Sequence, residues 1–111
     1  MWKGLFKGVK GYRVWKFKTG VPNRGICSWA RYTKEGLFSI LYRRKCGSVD
    51  KKKVARGLRG LLDFKGKYIT ISEYDAGIAT IEFYCFLGSL PSEDVMKNVE
   101  TFLHTADFSS Q

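Results

Sequence analysis

The stretch that decides the fold is YITISEYDAGIATIEFYCFL, residues 68–87. Two runs with apolar side chains at alternate positions flank the segment DAG at 75–77, and this period of two is typical of β-strands. A three-residue loop that ends in glycine is a common hairpin turn, because glycine readily adopts the positive φ that such a loop needs. We therefore predict an antiparallel hairpin with strands at 68–74 and 78–87.

The length of this loop also fixes which residues stand opposite each other, and therefore which face of the sheet each one occupies. The expected pairs are Ile69–Phe83, Ile71–Ile81 and Glu73–Ala79 on one face, and Tyr68–Tyr84, Thr70–Glu82, Ser72–Thr80 and Tyr74–Ile78 on the other. The first face is the more apolar, so we expect it to face the core.

A second hairpin lies upstream and uses the same kind of loop. Residues 26–33 and 37–44 flank the segment KEG at 34–36, and they also alternate in character. One face of this hairpin carries Tyr32 and Ile40, and the other carries Trp29. Because both faces are rather apolar, we expect part of the hairpin to be covered on both sides.

Two helices are expected, one between the hairpins and one after them. The first begins near Ser48 as N-cap and runs to about residue 62 or 63, with an apolar stripe opposite its cations. The last begins near residues 91–92, with two acids in its first turn, where the helix dipole favours them, and ends near Phe108.

Two elements precede the hairpins, a glycine-containing weak helix at 2–9 and a strand at 12–18. The predicted fold class is therefore α+β, a single domain with the element order (α)βββαββα. Its antiparallel sheet is built from the two hairpins with three-residue loops, and the helices pack on that sheet.

Charge is distributed unevenly along the chain. Residues 1–67 contain 19 of the 20 Lys and Arg side chains and three acids, a formal charge of +16, whereas residues 68–111 contain one lysine and seven acids, a charge of −6. A clustered positive charge attracts polyanions or an acidic partner. Because no linker interrupts the chain, we expect one domain over 1–111, with a basic part at 1–67 and an acidic part at 68–111.

Few residues suit catalysis or metal binding. The cysteines Cys27, Cys46 and Cys85 are odd in number and widely spaced, which predicts thiols in a reducing, cytoplasmic compartment rather than a disulfide framework or a zinc site. His104 is the single histidine, and we expect it to face solvent and pair with Glu100 one helical turn earlier. No apolar run approaches the ~20 residues of a membrane span, so no integral membrane protein is expected. We therefore expect neither an enzyme nor a metal or other cofactor.

The strongest functional pattern is a group of cations between the hairpins. Three end a strand, three open the following helix and two continue along its exposed face: Arg43, Arg44, Lys45, Lys51, Lys52, Lys53, Arg56 and Arg59. Cations that open a helix oppose its dipole and repel each other, at a cost of about a few tenths of a kcal/mol each. A bound phosphate would offset this cost. We therefore predict contacts with the phosphate backbone of RNA or DNA, single or double stranded; a solvated helix face and an acidic protein surface are the alternatives.

The same helix carries a family resemblance. A short helix, three strands and a helix that begins KKVAR at 52–56 resemble, over residues 2–62, the double-stranded-RNA-binding domain, in which lysines at this position contact phosphates across the major groove. Gly57, Gly60 and the additional ββα unit depart from that family. The complete element order also resembles the secretion-chaperone fold, whose members are usually acidic. We assign the chain to neither family.

Aromatic residues interleaved with cations offer a second route to nucleic acid. Trp29 shares a predicted face with Arg31 and Arg43, and we take Trp29 and Tyr32 as candidates for stacking on unpaired bases. The second hairpin places Tyr68, Tyr74 and Tyr84 on one face. Aromatic residues with arginine are also typical of protein-interface hot spots, and Trp29 packed beneath a helix is an equally good expectation.

Three functional hypotheses follow from these patterns. The leading one is a non-enzymatic basic domain that binds nucleic acid through its phosphate backbone with weak sequence preference. The second is a structural or interaction subunit of a larger assembly that docks a partner of complementary charge, with head-to-tail self-association as a variant. The third is peripheral binding to an anionic membrane through Trp2, Phe6 and the nearby lysines.

Overall fold

Five strands and two helices make up the part of the chain that the computed structural model describes, residues 13–73 and 77–109. In chain order they are β1 (Arg13–Lys16), β2 (Trp29–Tyr32), β3 (Leu37–Lys45), α1 (Lys51–Leu61), β4 (Phe64–Glu73), β5 (Ile78–Leu87) and α2 (Glu93–Thr105). The order βββαββα confirms the predicted sequence of elements. The helix predicted at 2–9 lies outside the described residues.

All five strands form one antiparallel sheet with the strand order β1-β2-β3-β5-β4. Strand β3 pairs with β5 along its whole length, so the two predicted hairpins lie side by side. Helix α1 connects β3 to β4, which lies at the edge of this sheet. The result is one compact domain of the predicted α+β class.

The second hairpin has the predicted register over its described length: Ile69–Phe83, Ile71–Ile81, Glu73–Ala79, Tyr68–Tyr84, Thr70–Glu82 and Ser72–Thr80. The loop glycines Gly36 and Gly77 have φ angles of 91° and 82°, the left-handed conformation that the loop length requires. The predicted pair of Tyr74 with Ile78 lies outside the described residues.

Two strands begin at other residues than predicted, and β1 ends at Lys16 rather than at residue 18. Strand β4 begins at Phe64, four residues earlier than expected, because a bulge at Gly66 (φ 60°) shifts the register and lets the strand continue on both sides. Strand β2 begins at Trp29 rather than at residue 26, since residues 23–26 close a separate tight turn.

Both helices pack on one face of the sheet. Its core side chains are Trp15, Phe17, Ala30, Tyr32, Phe38, Ile40, Tyr42, Ile81, Phe83, Cys85 and Leu87 from the strands and the segments that continue them, with Val54, Leu58, Leu62, Met96, Val99, Leu103 and Phe108 from the helices and the segments that follow them. On the opposite face Ser39 and Arg43 are also buried, which agrees with the expectation that part of the first hairpin is covered on both sides.

The start of α1 and the end of α2 differ from the prediction, since α2 ends at Thr105 rather than near Phe108. Asp50, not Ser48, caps α1, because its carboxylate accepts a hydrogen bond from the backbone N–H of Lys52 at 2.9 Å. The backbone N–H of Asp50 in turn donates to the carbonyl oxygen of Phe108, which fixes the point where the helix begins. Helix α2 begins after Ser92, whose hydroxyl accepts from the N–H of Val95.

Two carboxylates of α2 attach the helix to the first strand and the loop that follows it. Glu93 accepts hydrogen bonds from Arg13 at 2.7 Å and from the indole N–H of Trp15 at 2.9 Å. Glu100 accepts from the backbone N–H groups of Lys18 and Thr19, at 2.6 and 3.0 Å. Acids of the C-terminal part therefore bind groups of the basic N-terminal part within the domain.

Candidate nucleic-acid interface

Helix α1 begins with three consecutive cations. Lys51, Lys52 and Lys53 follow the cap Asp50 directly, and the first turn contains no acid. The helix dipole places about half a positive charge at this end, so the lysines add to a potential that is already positive. The sequence folds this way because an apolar stripe, with Val54 buried at 0% exposure, turns the charged positions away from the sheet.

Four cations of α1 are exposed and make up what we call the basic helix face: Lys51, Lys52, Arg56 and Arg59. Lys52, Arg56 and Arg59 are four and three residues apart and so follow one stripe, about 10 Å long at 1.5 Å per residue. The single salt bridge among the described residues joins Arg13 to Glu93, away from this helix. No described acid therefore forms a salt bridge with the basic helix face.

Arg44 and Lys53 have partners in and after the last turn of α2. The guanidinium of Arg44 donates to the carbonyl oxygen of Leu103 at 3.3 Å and lies 4.7 Å from the centre of the Phe108 ring. The ammonium of Lys53 donates to the carbonyl oxygen of Ser109. These two predicted site residues thus contribute to packing between β3, α1 and the segment after α2.

Arg43 and Lys45 lie at the end of β3. Arg43 stands opposite Thr80 on the face of the sheet that the helices do not cover, and it is only 8% exposed. Lys45 is exposed where the strand ends. The eight predicted cations therefore do not form one surface: four share the basic helix face, Lys45 is exposed beyond it, and the other three are packed.

Asp107 is an acid that borders this surface. It lines a groove between α1 and the segment after α2, together with Lys53 and Arg56. Hydrogen bonds from Ser109 lower the pKa of the Asp107 carboxyl, and the charges of Lys53 and Arg44 act in the same direction. Asp107 therefore stays ionised at neutral pH.

Gly57 allows the two helices to approach each other. A Cβ atom added at Gly57 would lie 2.0 Å from Cζ of Phe102 in α2, whereas one added at Gly60 would meet no atom within 4 Å. In the sequence, Gly57 is only a residue that disfavours the helix. The structure explains why glycine stands there: position 57 contacts a second helix that is far away in the chain.

The two aromatic candidates lie on opposite faces of the sheet. Tyr32 is 9% exposed and belongs to the core, which corrects the prediction that it stacks on bases, since its ring has no open face. Trp29 is half-buried on the other face, and the guanidinium of Arg31 lies 5.2 Å from the centre of its ring.

Three other rings share the face that carries Trp29. Tyr68 and Phe86 are 61% and 58% exposed, and the rings of Tyr68 and Tyr84 lie 6.0 Å apart. Phe86 is not among the aromatic residues for which the sequence pattern predicts a ligand contact. The predicted register contained the signal that would have found it, because a residue two positions after Tyr84 must lie on the same face.

The polar groups around His104 form a structural network. The predicted pair of Glu100 with His104 is wrong, because Glu100 binds the Lys18–Thr19 backbone. The hydroxyl of Tyr42 instead lies 3.0 Å from Nδ1 of His104 and donates to the hydroxyl of Thr19 at 2.9 Å. Burial raises the pKa of Tyr42, so it stays a neutral donor. Within residues 13–73 and 77–109, no three His, Cys, Asp or Glu side chains are grouped so as to hold a metal ion.

Neither helix of the described residues has the length and apolar character that crossing a membrane requires. Comparisons with models of protein families, with curated proteins and with solved structures find no match to this chain.

Proposed function

We propose that this protein is a non-enzymatic domain that binds nucleic acid through its phosphate backbone, with weak sequence preference. The observation that carries the proposal is the basic helix face. Lys51, Lys52, Arg56 and Arg59 are all exposed on one helix, at its positive end and along one side, and no described acid pairs with them. A polyanion with regularly spaced charges matches such a stripe.

The composition of the basic helix face favours nucleic acid over an acidic protein. Protein interfaces have apolar or aromatic centres and are depleted in lysine. The exposed positions of α1 are the four cations and Gly60, and no exposed apolar side chain stands among them. Contacts of this kind position a phosphate backbone but read no base, which accounts for the weak sequence preference.

Self-association of the basic part with the acidic part has less support. Two of the acids that a basic partner could contact, Glu93 and Glu100, already accept hydrogen bonds from Arg13, Trp15, Lys18 and Thr19. A second copy that used these two carboxylates would have to displace those contacts.

The test measures the affinity for a fluorescein-labelled oligonucleotide by anisotropy across a range of salt concentrations. Four phosphate contacts predict a slope of log affinity against log salt of about −3 to −4. The variant Lys52→Glu/Arg56→Glu should lose most of this affinity and reduce the slope by about 2. A mixture of sequences with equal length should give similar constants for the unmodified protein.

The matched control is Lys97→Glu, which reverses an exposed lysine on the other helix. Compared with Lys52→Glu at the same net charge, it should leave the affinity nearly unchanged. Equal losses in the two single variants would mean that only net charge matters, and an unaltered affinity in the double variant would refute the assignment to the basic helix face.

A further inference from the structure

The face of the sheet that α1 and α2 do not cover presents a cluster of aromatic rings, which we call the ring platform: Tyr68, Tyr84 and Phe86. Tyr68 stands opposite Tyr84 in the register, with ring centres 6.0 Å apart. Phe86 is two residues further along β5 on the same face, about 7 Å from Tyr84. The three rings are therefore direct neighbours on one surface of the sheet.

The exposure of these rings is unusual for aromatic side chains. Tyr68 is 61% exposed and Phe86 is 58% exposed, although on the other face of the same two strands Ile81 and Phe83 are fully buried. Among residues 13–73 and 77–109, the other large apolar side chains with comparable exposure, Ile26 and Leu90, are single residues in loops. Adjacent exposed rings mark a binding surface more strongly than scattered ones do.

The surroundings of the ring platform are positively charged. Arg31 stands in the same row of the sheet as Tyr84, with Ser39 between them, and its charge acts on the Tyr84 hydroxyl. Lys16, which stands opposite Trp29, is exposed on this face as well. Glu82 lies on this face as well, 3.4 Å from the Tyr84 hydroxyl that donates to it. The ligand that suits this surface combines planar apolar groups with negative charge.

The ring platform and the basic helix face lie on opposite sides of the sheet, and the shortest path between them runs around the edge strand β4. The guanidinium of Arg59, at the end of α1, lies 5.3 Å from the centre of the Phe64 ring, and Phe64 begins strand β4. Tyr68 follows four residues later on that strand, about 13 Å away. A nucleic-acid strand whose phosphates contact α1 can therefore pass around the edge of the sheet beside Lys67 and reach the rings.

We infer that the ring platform stacks unpaired bases and that the ligand of this protein is therefore single-stranded nucleic acid. This inference rests on the proposed function and specifies its substrate class. Base pairs in a duplex are stacked on one another and hide their planar surfaces, whereas the bases of a single strand can lie on aromatic rings. Stacking of this kind tolerates any base, which agrees with weak sequence preference.

The experiment compares three probes of equal length: single-stranded oligothymidine, the same strand without bases, and a duplex. The abasic strand keeps the phosphates but removes the stacking surface. The unmodified protein should bind oligothymidine at least about 5-fold more tightly than the abasic strand, the lower limit for stacking one base. In Tyr68→Ala/Phe86→Ala this difference should disappear while affinity for the abasic strand stays the same.

Two further variants make the result specific. Ile26→Ala/Leu90→Ala removes two equally exposed apolar side chains outside the ring platform, and it should retain the preference for oligothymidine. Tyr68→Phe/Phe86→Tyr keeps both rings and should retain it too. Because all four residues are exposed, unchanged melting curves will show that each variant folds.

Each outcome separates the two proposals. Equal affinity of the unmodified protein for oligothymidine and the abasic strand overturns the stacking inference but leaves phosphate binding intact. Tighter binding of the duplex also overturns it. A dimer that becomes monomeric in Tyr68→Ala/Phe86→Ala shows that the rings are a protein interface instead. Failure of all three probes to bind refutes the proposed function itself.

Discussion

Reversing one charge at the start of α1 should make the protein more stable and a weaker binder at the same time. Lys52 is the second residue of the helix, exposed, and four residues before Arg56. Glutamate at this position interacts favourably with the helix dipole, a contribution of about 0.3–1 kcal/mol. It also replaces a repulsive pair with Arg56 by an attractive one, about 0.2–0.5 kcal/mol for each of the two changes.

Proximity to the carboxylate of Asp50 and screening by solvent reduce this sum, so we expect Lys52→Glu to raise the free energy of unfolding by about 1 kcal/mol. For a chain of this length that corresponds to an increase in Tm of about 4 °C. Urea denaturation at low ionic strength measures the stability, and anisotropy with a labelled oligonucleotide measures the affinity. The same substitution removes one phosphate contact, which should weaken binding and make the salt slope about 1 less steep.

Lys97→Glu provides the contrast. Lys97 is exposed on α2 and lies four residues after Glu93, so glutamate there replaces a favourable spacing by a repulsive one. We expect a loss of up to about 0.5 kcal/mol in the free energy of unfolding and no change in affinity. If Lys52→Glu lowers stability, or if it raises stability but leaves the affinity unchanged, then the lysines at this helix end are not maintained for an anionic ligand.

Two further predictions concern packing and thiol chemistry. Gly57→Ala should lower the free energy of unfolding by about 1 kcal/mol, because its Cβ displaces the ring of Phe102, whereas Gly60→Ala should raise it by about 1 kcal/mol through helix propensity alone. In a Phe102→Ala background both substitutions should stabilise the protein. If Gly57→Ala stabilises the unmodified chain, the packing of Gly57 against Phe102 is contradicted. Burial raises the pKa of the Cys85 thiol from 9.0 to about 12, so the folded state favours the protonated thiol. The contribution of the Cys85 thiol to stability is therefore complete below pH 9 and should decline as the pH rises from 9 toward 12. Iodoacetamide and mass spectrometry at pH 8 should find exposed Cys27 alkylated within minutes and Cys85 only at the rate of unfolding, and rapid labelling of Cys85 would contradict its burial.

The uneven charge along the chain has a structural explanation that the sequence alone did not provide. Glu93 of the acidic part pairs with Arg13 of the basic part, and Glu100 binds the Lys18–Thr19 backbone, so the two parts of the chain contact each other within the domain. The four cations of the basic helix face form no salt bridge with a described acid. The candidate phosphate-binding surface is therefore smaller than the basic part at 1–67, and it is confined to the basic helix face.

Much of the fold could be predicted because its signals are local. The period of two and the glycine that ends each loop fixed both hairpin registers, including the opposition of Tyr68 and Tyr84. Helix α2 begins next to the predicted position, with Glu93 and Asp94 in its first turn as expected. These features depend on residues within a few positions of one another, where steric and hydrogen-bonding rules leave few alternatives.

Only the tertiary structure decided which of the predicted site residues are accessible. Arg44 is held by Leu103 and Phe108, about sixty residues away in the chain. Phe102 likewise gives Gly57 its role, and α1 begins at Asp50 rather than after Ser48 partly because the Phe108 carbonyl accepts the Asp50 N–H. Whether a charged or aromatic side chain is free to meet a ligand depends on what packs against it. For this protein those neighbours come from the other end of the sequence. Composition and spacing could therefore predict a basic helix, whereas the packing of α2 and of the segment after α2 determined which cations of α1 remain exposed.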